Sequence, residues 1–418
     1  MDIWGGVWLI IAMISFPFGY KPIIAILSIS SIFQASKMVT LGGVNLPLFF
    51  CIECLAFLRL CIPFKNSGML AINNKKVFLI FILVFLIWFQ TFFNTYIFEG
   101  IRVFSSLSGS NEYSVAKGGI PLSFSSANIN QLILLTMHLF LAAALYARRD
   151  YLDKYFYFKT IIASILIFSF FGLIWRYSNG LYNAVSLIAL NNDLYAINVF
   201  NENRLSGTFS EPSFAGLFIG SFCIPFILYK NKFIKLVGLL LLFLASLNLS
   251  STLVFAILVS IALYVMHSGK EIQNKILILI LSFMFFLLIY ITFYDYISFY
   301  VDNKASSDSG NTRSAVNLHA LSNIFNSYFM GLGLGSERAS SLILTMFNNL
   351  GIILSFLLLL FVYRLINRDS SKVSSLLFLC LTSCFFGSFA SMQEITIPFL
   401  WNLIFANIAT GTKNQDIK

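Results

Sequence analysis

Residues 77–97 read VFLIFILVFLIWFQTFFNTYI, an apolar run that contains no charged side chain. A helix needs about 20 apolar residues to cross the hydrocarbon core of a bilayer, and this run has that length. Several other runs resemble it, the mean hydropathy is +0.85, and 58% of the residues are hydrophobic against 11% charged. Because a soluble domain does not carry so much apolar surface, the sequence predicts a multi-spanning membrane protein.

The predicted spans are helices, because the apolar runs lack the alternating polar residues of a membrane β-strand. The expected fold class is therefore all-α, a polytopic integral membrane protein with one membrane-embedded domain over 1–418. The first run, 4–18, has no basic flank before it and no small-residue cleavage site after it, which favours a retained span. Hydropathy predicts about 12 or 13 spans, with centres near Ala12, Ser28, Glu53, Leu86, Met137, Phe168, Phe222, Leu241, Leu258, Phe285, Leu357, Thr382 and Ile404.

Two features leave the span count open by one or two. The first two spans are short, so they form either a hairpin that turns at 18–21 or one long tilted element. The pair centred near Leu241 and Leu258 meets at 249–252, where the sequence LSST does not show clearly whether one helix ends and another begins.

Basic residues orient the chain, because short cytoplasmic loops carry an excess of Lys and Arg. One set of loops and termini holds 17 of the 27 basic residues, while the opposite and much longer set holds only 6. The sequence therefore predicts that loops 98–127, 179–210 and 295–337 face the periplasm. The net charge of +10 is explained by this asymmetry and by anionic lipid, and it gives no reason to expect a nucleic-acid partner.

The six cysteines all lie in apolar segments, where thiols behave as small hydrophobic groups. They predict no disulfide framework. The Cys51-x-x-Cys54 spacing lacks a second set of polar ligands, so no metal site is expected there.

The predicted spans contain few ionisable residues, whereas a transporter needs polar groups near the membrane midplane. The exceptions are Glu53, Arg59, His138, Arg176 and Glu394, most of them near predicted span ends. Polar residues collect instead in the outer loops, which indicates binding or chemistry at the outer membrane surface.

The stretch 204–216, RLSGTFSEPSFAG, leads into an apolar run. Ser210 is suited to cap the helix that follows, Pro212 to its first turn, and Glu211 to the positive end of the helix dipole. These roles leave Arg204 unexplained, because a lone Arg on the outer side opposes the charge bias. A helix N-terminus with a nearby Arg and small residues such as Ser210 and Ser213 favours an anion site for phosphate.

A second group begins with SGNTRSAVNLH at 309–319 and continues to GLGLGSER at 331–338. Apolar residues at 321, 324, 325 and 328 have helical spacing, which predicts an amphipathic helix on the bilayer with Arg313 in its first turn. His319 should fall opposite the apolar stripe and is either a functional group or a solvated surface residue. The glycines predict a close turn back onto the next span, and Glu337 with Arg338 a surface ion pair.

These motifs, together with FNNLGI at 347–352, resemble the Wzy-type O-antigen polymerases. The layout is similar along the whole chain, and the recognisable motifs cover 204–352. The resemblance implies a GT-C-like fold in the bacterial inner membrane and a glycosyltransferase that acts at its periplasmic face. Such enzymes move a growing glycan from undecaprenyl pyrophosphate onto a new lipid-linked repeat unit. By position, Arg204 and Arg313 match the pyrophosphate-binding arginines of the related O-antigen ligases, and a copolymerase partner would set chain length.

The chemistry of the residues agrees with that expectation. Arginine forks and a helix N-terminus can stabilise a pyrophosphate leaving group without a metal or another cofactor. Arg204 and Arg313 are the expected catalytic cations, and Ser210, Ser213 and Arg338 are further substrate-binding candidates. For the general base that activates the acceptor hydroxyl, Glu211 is the first candidate and His319 the second. An O-antigen ligase is one alternative function, and a lipid-linked oligosaccharide flippase is another.

Overall fold

The computed structural model describes residues 3–41, 44–62, 75–104, 118–192, 204–248, 250–267, 280, 284, 291, 308–366, 372–391 and 394–410. The predicted span near Phe285 lies outside these residues, apart from three isolated positions. Most of the described chain is helical, in the order α1 Ile3–Ser15, α2 Tyr20–Ser30, α3 Leu48–Cys61, α4 Lys75–Ile97, α5 Ser126–Arg148, α6 Lys154–Tyr177, α7 Asn179–Ala189, α8 Pro212–Ile227, α9 Lys232–Asn248, α10 Ser251–His267, α11 Asp308–Asn326, α12 Leu342–Leu365, α13 Lys372–Gly387 and α14 Pro398–Thr410.

The protein is a helical membrane protein. Five of its described helical segments are long and apolar enough to cross a bilayer, and several shorter apolar helices accompany them. The long segments are Phe78–Ile97, Ser126–Tyr151, Tyr155–Tyr177, Leu342–Leu365 and Lys372–Ala390. The total of about 12 or 13 spans and the GT-C-like arrangement stay predictions.

The first two helices form a hairpin. Trp4 at the start of α1 packs edge to face against Phe33, which follows α2, with ring centroids 5.7 Å apart. The far ends are joined by a short 3₁₀ turn, Phe16–Phe18, and by Gly19 at φ 108°. Since only glycine adopts that backbone conformation readily, Gly19 permits the reversal. A single long tilted element is thereby excluded.

The pair near 241 and 258 also resolves into two helices, α9 and α10, which end and begin on either side of 249–250. Two short antiparallel hairpins were not anticipated from the sequence. They are β1 Lys37–Leu41 with β2 Val44–Pro47, and β3 Arg102–Val103 with β4 Ile120–Pro121. The Gly-Gly pair at 42–43 is a hairpin signal that hydropathy does not detect.

Helix α8 lies in the interior of the helical assembly and packs against α9, α10 and α13. All its residues from Pro212 to Phe226 except Ile224 are buried, which explains why the helix is apolar on every side. Gly220 allows the close approach to α10, since a Cβ there would lie 2.6 Å from the Cβ of Ala256.

The basic end of the helices is held by polar contacts between turns. The ammonium of Lys21 lies 3.0 Å from the carboxylate of Asp153, at the N-terminus of α6. Lys21 and the backbone N–H of Phe156 hold the pKa of Asp153 below its ordinary value. The guanidinium of Arg148, a buried side chain, donates to the carbonyl of Leu60. These contacts place the α1–α2 turn, the end of α3 and the α5–α6 connection at one end.

Candidate functional site

The opposite end, where α4 ends and α5, α12 and α14 begin, contains a small polar cavity of about 20 Å³. Its walls come from α5, from the segment between α11 and α12, from the first turns of α12, and from the residues just before α14. We refer to it as the polar cavity. Its lining includes Gln131, Glu337, Arg338, Thr345, Asn349, Glu394 and Ile395.

Arg338 and Glu394 form an ion pair at this cavity. An Nη2 to Oε1 distance of 2.7 Å joins them, and the two side chains are 25% and 24% exposed. The backbone N–H of Arg338 donates to the carbonyl of Phe104, next to the β3–β4 hairpin. The predicted ion pair of Arg338 with Glu337 is therefore wrong. The two residues lie outside a helix, where consecutive side chains can point to opposite sides.

Glu337 points inward and is completely buried. One carboxylate oxygen accepts from the backbone N–H of Phe104 at 3.2 Å, and the other accepts from the side-chain amide of Asn323 at 2.9 Å. Its own backbone is tied to α12, because its N–H donates to Asn349 and its carbonyl accepts from the same side chain. A buried carboxylate with this many donors is held in one position.

His319 on α11 lies beside that carboxylate, with Nδ1 3.5 Å from Oε1 of Glu337. The Phe104 ring packs on the imidazole at a centroid distance of 4.6 Å. The histidine is 26% exposed while Glu337 is 0% exposed, so solvent reaches the pair from the imidazole side. His319 is thus partly enclosed and paired with an acid, which corrects the alternative of a solvated surface histidine.

The orientation of α11 explains why the sequence pattern misplaced His319. The face turned toward the protein is mixed, with Val316, Ala320, Asn323, Ser327 and one residue of the predicted stripe, Ile324, buried. The apolar residues Leu321, Phe325 and Tyr328 point outward and are 44%, 58% and 78% exposed. An apolar stripe that faces lipid places polar residues inside. The helix begins at Asp308, so Arg313 lies in its second turn rather than its first.

The glycines at 331–335 form the predicted close turn onto the following span. Gly331, Gly333 and Gly335 have φ of 80°, 97° and 83°. A Cβ at Gly331 would come within 2.3 Å of the backbone nitrogen of Gly351, where α12 itself is kinked. This contact joins the turn to α12 and so fixes Glu337 and Arg338, which follow it.

The segment 204–213 packs tightly beside this region. Gly207 has φ 62°, and a Cβ there would lie 2.5 Å from the ring of Phe168. Its carbonyl accepts from the hydroxyl of Tyr182 at 2.8 Å. Phe209 lies 5.4 Å, centroid to centroid, from Phe399 in the first turn of α14. The segment therefore adjoins the start of the helix that Glu394 precedes.

The predicted cap at Ser210 is wrong. Helix α8 begins at Pro212 with Glu211 in the N-cap position, as the proline at N1 favours. The hydroxyl of Ser210 donates instead to Gln34 at 3.2 Å. The hydroxyl of Ser213 donates to Glu211 at 3.0 Å, and Glu211 is half-buried.

Arg204 and Arg313 are both half-buried, and no contact among the described residues joins them. Arg313 lies one turn before Asn317, which accepts from the backbone N–H of Ser340, two residues after Arg338. Arg313 is thus on the side of α11 that faces the segment carrying Arg338. Arg204 lies on the neighbouring segment, eight residues before the first residue of α8, Pro212.

An apolar groove of about 160 Å³ runs between α12, α13 and α14. Ile395 lines both this groove and the polar cavity, so the two spaces adjoin. Other residues of the apolar groove are Leu342, Met346, Tyr363, Phe378, Thr382 and Trp401. The combined space is amphiphilic, with charged groups at one end and hydrocarbon along the other.

Sequence reasoning assigned Glu337 only to an ion pair with Arg338 and gave Phe104 no role, and it treated Glu394 only as a polar exception within a span. A charged residue in an apolar segment was the available signal for Glu394. Within the described ranges no group of three or more His, Cys, Asp and Glu side chains is arranged as metal ligands, and metal independence stays a prediction.

Comparisons of the chain with family models, with curated proteins and with solved structures found no match. The fold and the cavity define a helical membrane protein with a charged amphiphilic site at one end of its helices.

Proposed function

We propose that this protein is a glycosyltransferase that polymerises lipid-linked saccharide repeat units at the periplasmic face of the bacterial inner membrane. Its donor is a glycan on undecaprenyl pyrophosphate, and its acceptor is the non-reducing sugar of a second lipid-linked repeat. A copolymerase that regulates chain length is the expected protein partner.

The observation that carries the proposal is the junction of the polar cavity with the apolar groove at Ile395. A polyprenyl pyrophosphate has the same two parts, an anionic head and a long hydrocarbon chain. The groove would hold the first isoprene units while the pyrophosphate lies at the cavity beside Arg338. Binding sites are typically apolar with a few placed polar groups, as here.

The leaving group requires positive charge. Arg338 lies at the cavity, and Arg313 and Arg204 lie on the segments beside it. Their guanidinium groups would bind the pyrophosphate oxygens and stabilise the charge that develops when the sugar–phosphate bond breaks. On arrival of the pyrophosphate, Arg338 would exchange its bond to Glu394 for one to the ligand.

In the reaction, the acceptor hydroxyl oxygen bonds to the anomeric carbon of the donor sugar. The bond between that carbon and the phosphate oxygen breaks, and the pyrophosphate leaves with the electron pair. The hydroxyl proton passes to a general base, for which we favour His319. The buried carboxylate of Glu337 beside Nδ1 would orient the imidazole and stabilise its protonated form. Glu211 is the alternative base.

The assignment is tested by deleting the gene and separating the lipopolysaccharide on a gel. Loss of a polymerase leaves core with a single repeat unit. Core without any repeat, with polymer accumulating on the lipid carrier, would identify a ligase instead. Core without periplasmic polymer would identify a flippase. Either of the last two results would overturn the proposal.

A further inference from the structure

Glu53 of α3 and His138 of α5 form a pair deep inside the helices. The carboxylate oxygen Oε1 lies 2.7 Å from Nδ1 of the imidazole, and the two side chains are 0% and 1% exposed. Removing two ionisable groups from water is costly unless they satisfy each other. In a membrane protein such residues are rare and usually have a function.

The hydrogen bonds of His138 determine how many protons the pair carries. Nε2 lies 3.2 Å from the carbonyl oxygen of Thr396, which can only accept, so Nε2 carries a proton. The other ring nitrogen and the carboxyl of Glu53 then share one more proton, whichever atom holds it. The pair is neutral overall, which suits its surroundings.

The carbonyl of Thr396 belongs to the segment 394–397, which directly precedes α14 and begins with Glu394. Two further hydrogen bonds hold this segment. The indole N–H of Trp401 donates to the carbonyl of Ile395 at 2.8 Å, and the hydroxyl of Thr396 donates to Gln131 at 2.7 Å. The Trp401 ring in turn stacks on His138, with centroids 4.8 Å apart and an interplanar angle of 26°.

His138 therefore contacts the segment twice, directly through Nε2 and indirectly through Trp401. Both Gln131 and Glu394 line the polar cavity. A shift of the imidazole would move the carbonyl of Thr396 and hence Glu394, the ion-pair partner of Arg338.

We infer that His138 is a positioning residue, itself oriented by Glu53. It holds the segment 394–397 in place and thereby fixes the position of the Arg338–Glu394 pair at the polar cavity. Its effect on turnover rests on the proposed function, whereas its effect on the position of the segment does not. The pair, neutral overall, acts through the hydrogen bond from Nε2 to the carbonyl of Thr396 and does not transfer protons during the reaction.

The test separates the two edges of the imidazole. Glu53→Gln keeps a neutral partner for Nδ1, and we expect it to behave like the unsubstituted protein. In that background, the longer side chain of His138→Gln places its amide N–H where Nε2 lies in the unsubstituted protein. This variant therefore keeps the hydrogen bond to the carbonyl of Thr396. The shorter side chain of His138→Asn places its amide where Nδ1 lies, next to residue 53. This variant therefore loses the hydrogen bond to the carbonyl of Thr396.

The position of the segment is measured by cross-linking Arg338→Cys to Glu394→Cys with a short bifunctional thiosulfonate in each background. His138→Gln should retain the cross-linking rate, while His138→Asn should lower it about tenfold. Thr160→Val, a buried change in α6, is the control for general destabilisation. Equal rates in the two His138 variants, or the reverse order, would contradict the inference.

Turnover is compared in the same variants with Arg338 and Glu394 intact. We expect His138→Asn to lower kcat about 10- to 100-fold relative to His138→Gln at equal thermal stability. If neither the unsubstituted protein nor any variant transfers sugar, the proposed function fails. The relative cross-linking rates of the two His138 variants still test the inference in that case. If Glu53→Gln alone abolished turnover, the Glu53–His138 pair would have to exchange protons during the reaction. That result would overturn the inference.

Discussion

The completely buried carboxylate of Glu337 lies 3.5 Å from Nδ1 of His319, whose imidazole is 26% exposed. The carboxylate is fixed by donors from Phe104 and Asn323, so it does not move to follow the imidazole. Nδ1 therefore faces this fixed carboxylate and the side-chain nitrogen of Asn323, 3.3 Å away, while solvent reaches the rest of the imidazole. This arrangement, with one ring nitrogen enclosed and the ring partly exposed, suits a general base that takes a proton from a substrate on the exposed side of the ring.

The first prediction concerns this pair. His319→Gln should lower the rate of sugar transfer about 100- to 10,000-fold, because the amide cannot accept the proton. Glu337→Gln should lower it less, since the imidazole remains. Ser322→Ala, an exposed change on the same helix, is the control and should be neutral. The measurement is consumption of lipid-linked repeat by purified protein.

Glu211 provides the competing base, so Glu211→Gln decides between the two. If Glu211 only occupies the N-cap position beside Ser213, the variant should retain activity within a few-fold and lose little stability. Near-complete loss of transfer in Glu211→Gln at normal membrane levels, with His319→Gln still active, would assign the base to Glu211.

The third prediction concerns the arginines. Replacing Arg204, Arg313 or Arg338 by Ala should cost about 2 to 4 kcal/mol of transition-state stabilisation, or about 30- to 1,000-fold in rate. Lys should restore little activity, because it lacks the planar bidentate fork. Arg176→Ala is the matched control, since that exposed guanidinium stands 5.8 Å over Tyr177 at the end of α6. Wild-type rates of sugar transfer in the Arg204, Arg313 and Arg338 variants would show that these arginines do not belong to the site.

The fourth prediction tests the apolar groove. Thr382→Trp should fill part of it and raise the KM for the lipid-linked substrate several-fold with a smaller change in kcat. Leu360→Trp is the control, because that side chain on α12 is 45% exposed and lies outside the groove lining. An unchanged KM for both variants would show that the lipid chain binds elsewhere.

The fifth prediction concerns orientation. Ser322→Cys on α11 and Lys230→Cys between α8 and α9 are exposed positions at the two ends of the helices. An impermeant maleimide should label Ser322→Cys in intact spheroplasts and Lys230→Cys only after the membrane is ruptured. The unsubstituted protein is the control, because its six cysteines lie within helices. If Lys230→Cys were labelled in intact spheroplasts and Ser322→Cys only after rupture, the predicted orientation of the chain in the membrane would be wrong.

Hydropathy predicted the helical class and the division of the chain into apolar segments, because membrane crossing leaves a signal in each segment alone. Contacts between distant segments leave no such signal. Glu337 and Arg338 are adjacent in sequence, yet their partners are 18 residues before and 56 residues after them, at 319 and 394.

The amphipathic helix α11 was predicted from spacing, but its orientation was not. The spacing of Leu321 and Phe325 is the same whether the stripe faces protein or lipid. Only packing against Glu337 decides that His319 lies inside. The cap at Ser210 failed for a local reason, since Pro212 at N1 places the N-cap one residue later.

The most direct test of the central claim is a reconstituted reaction of the purified protein in lipid with undecaprenyl-pyrophosphate-linked repeat units alone. The account predicts a ladder of lipid-linked polymers and one released undecaprenyl pyrophosphate for each new linkage. The Arg338→Ala and His319→Gln variants should give neither product at a comparable rate. Intact repeat units after prolonged incubation with correctly folded protein, and no released carrier, would contradict the claim.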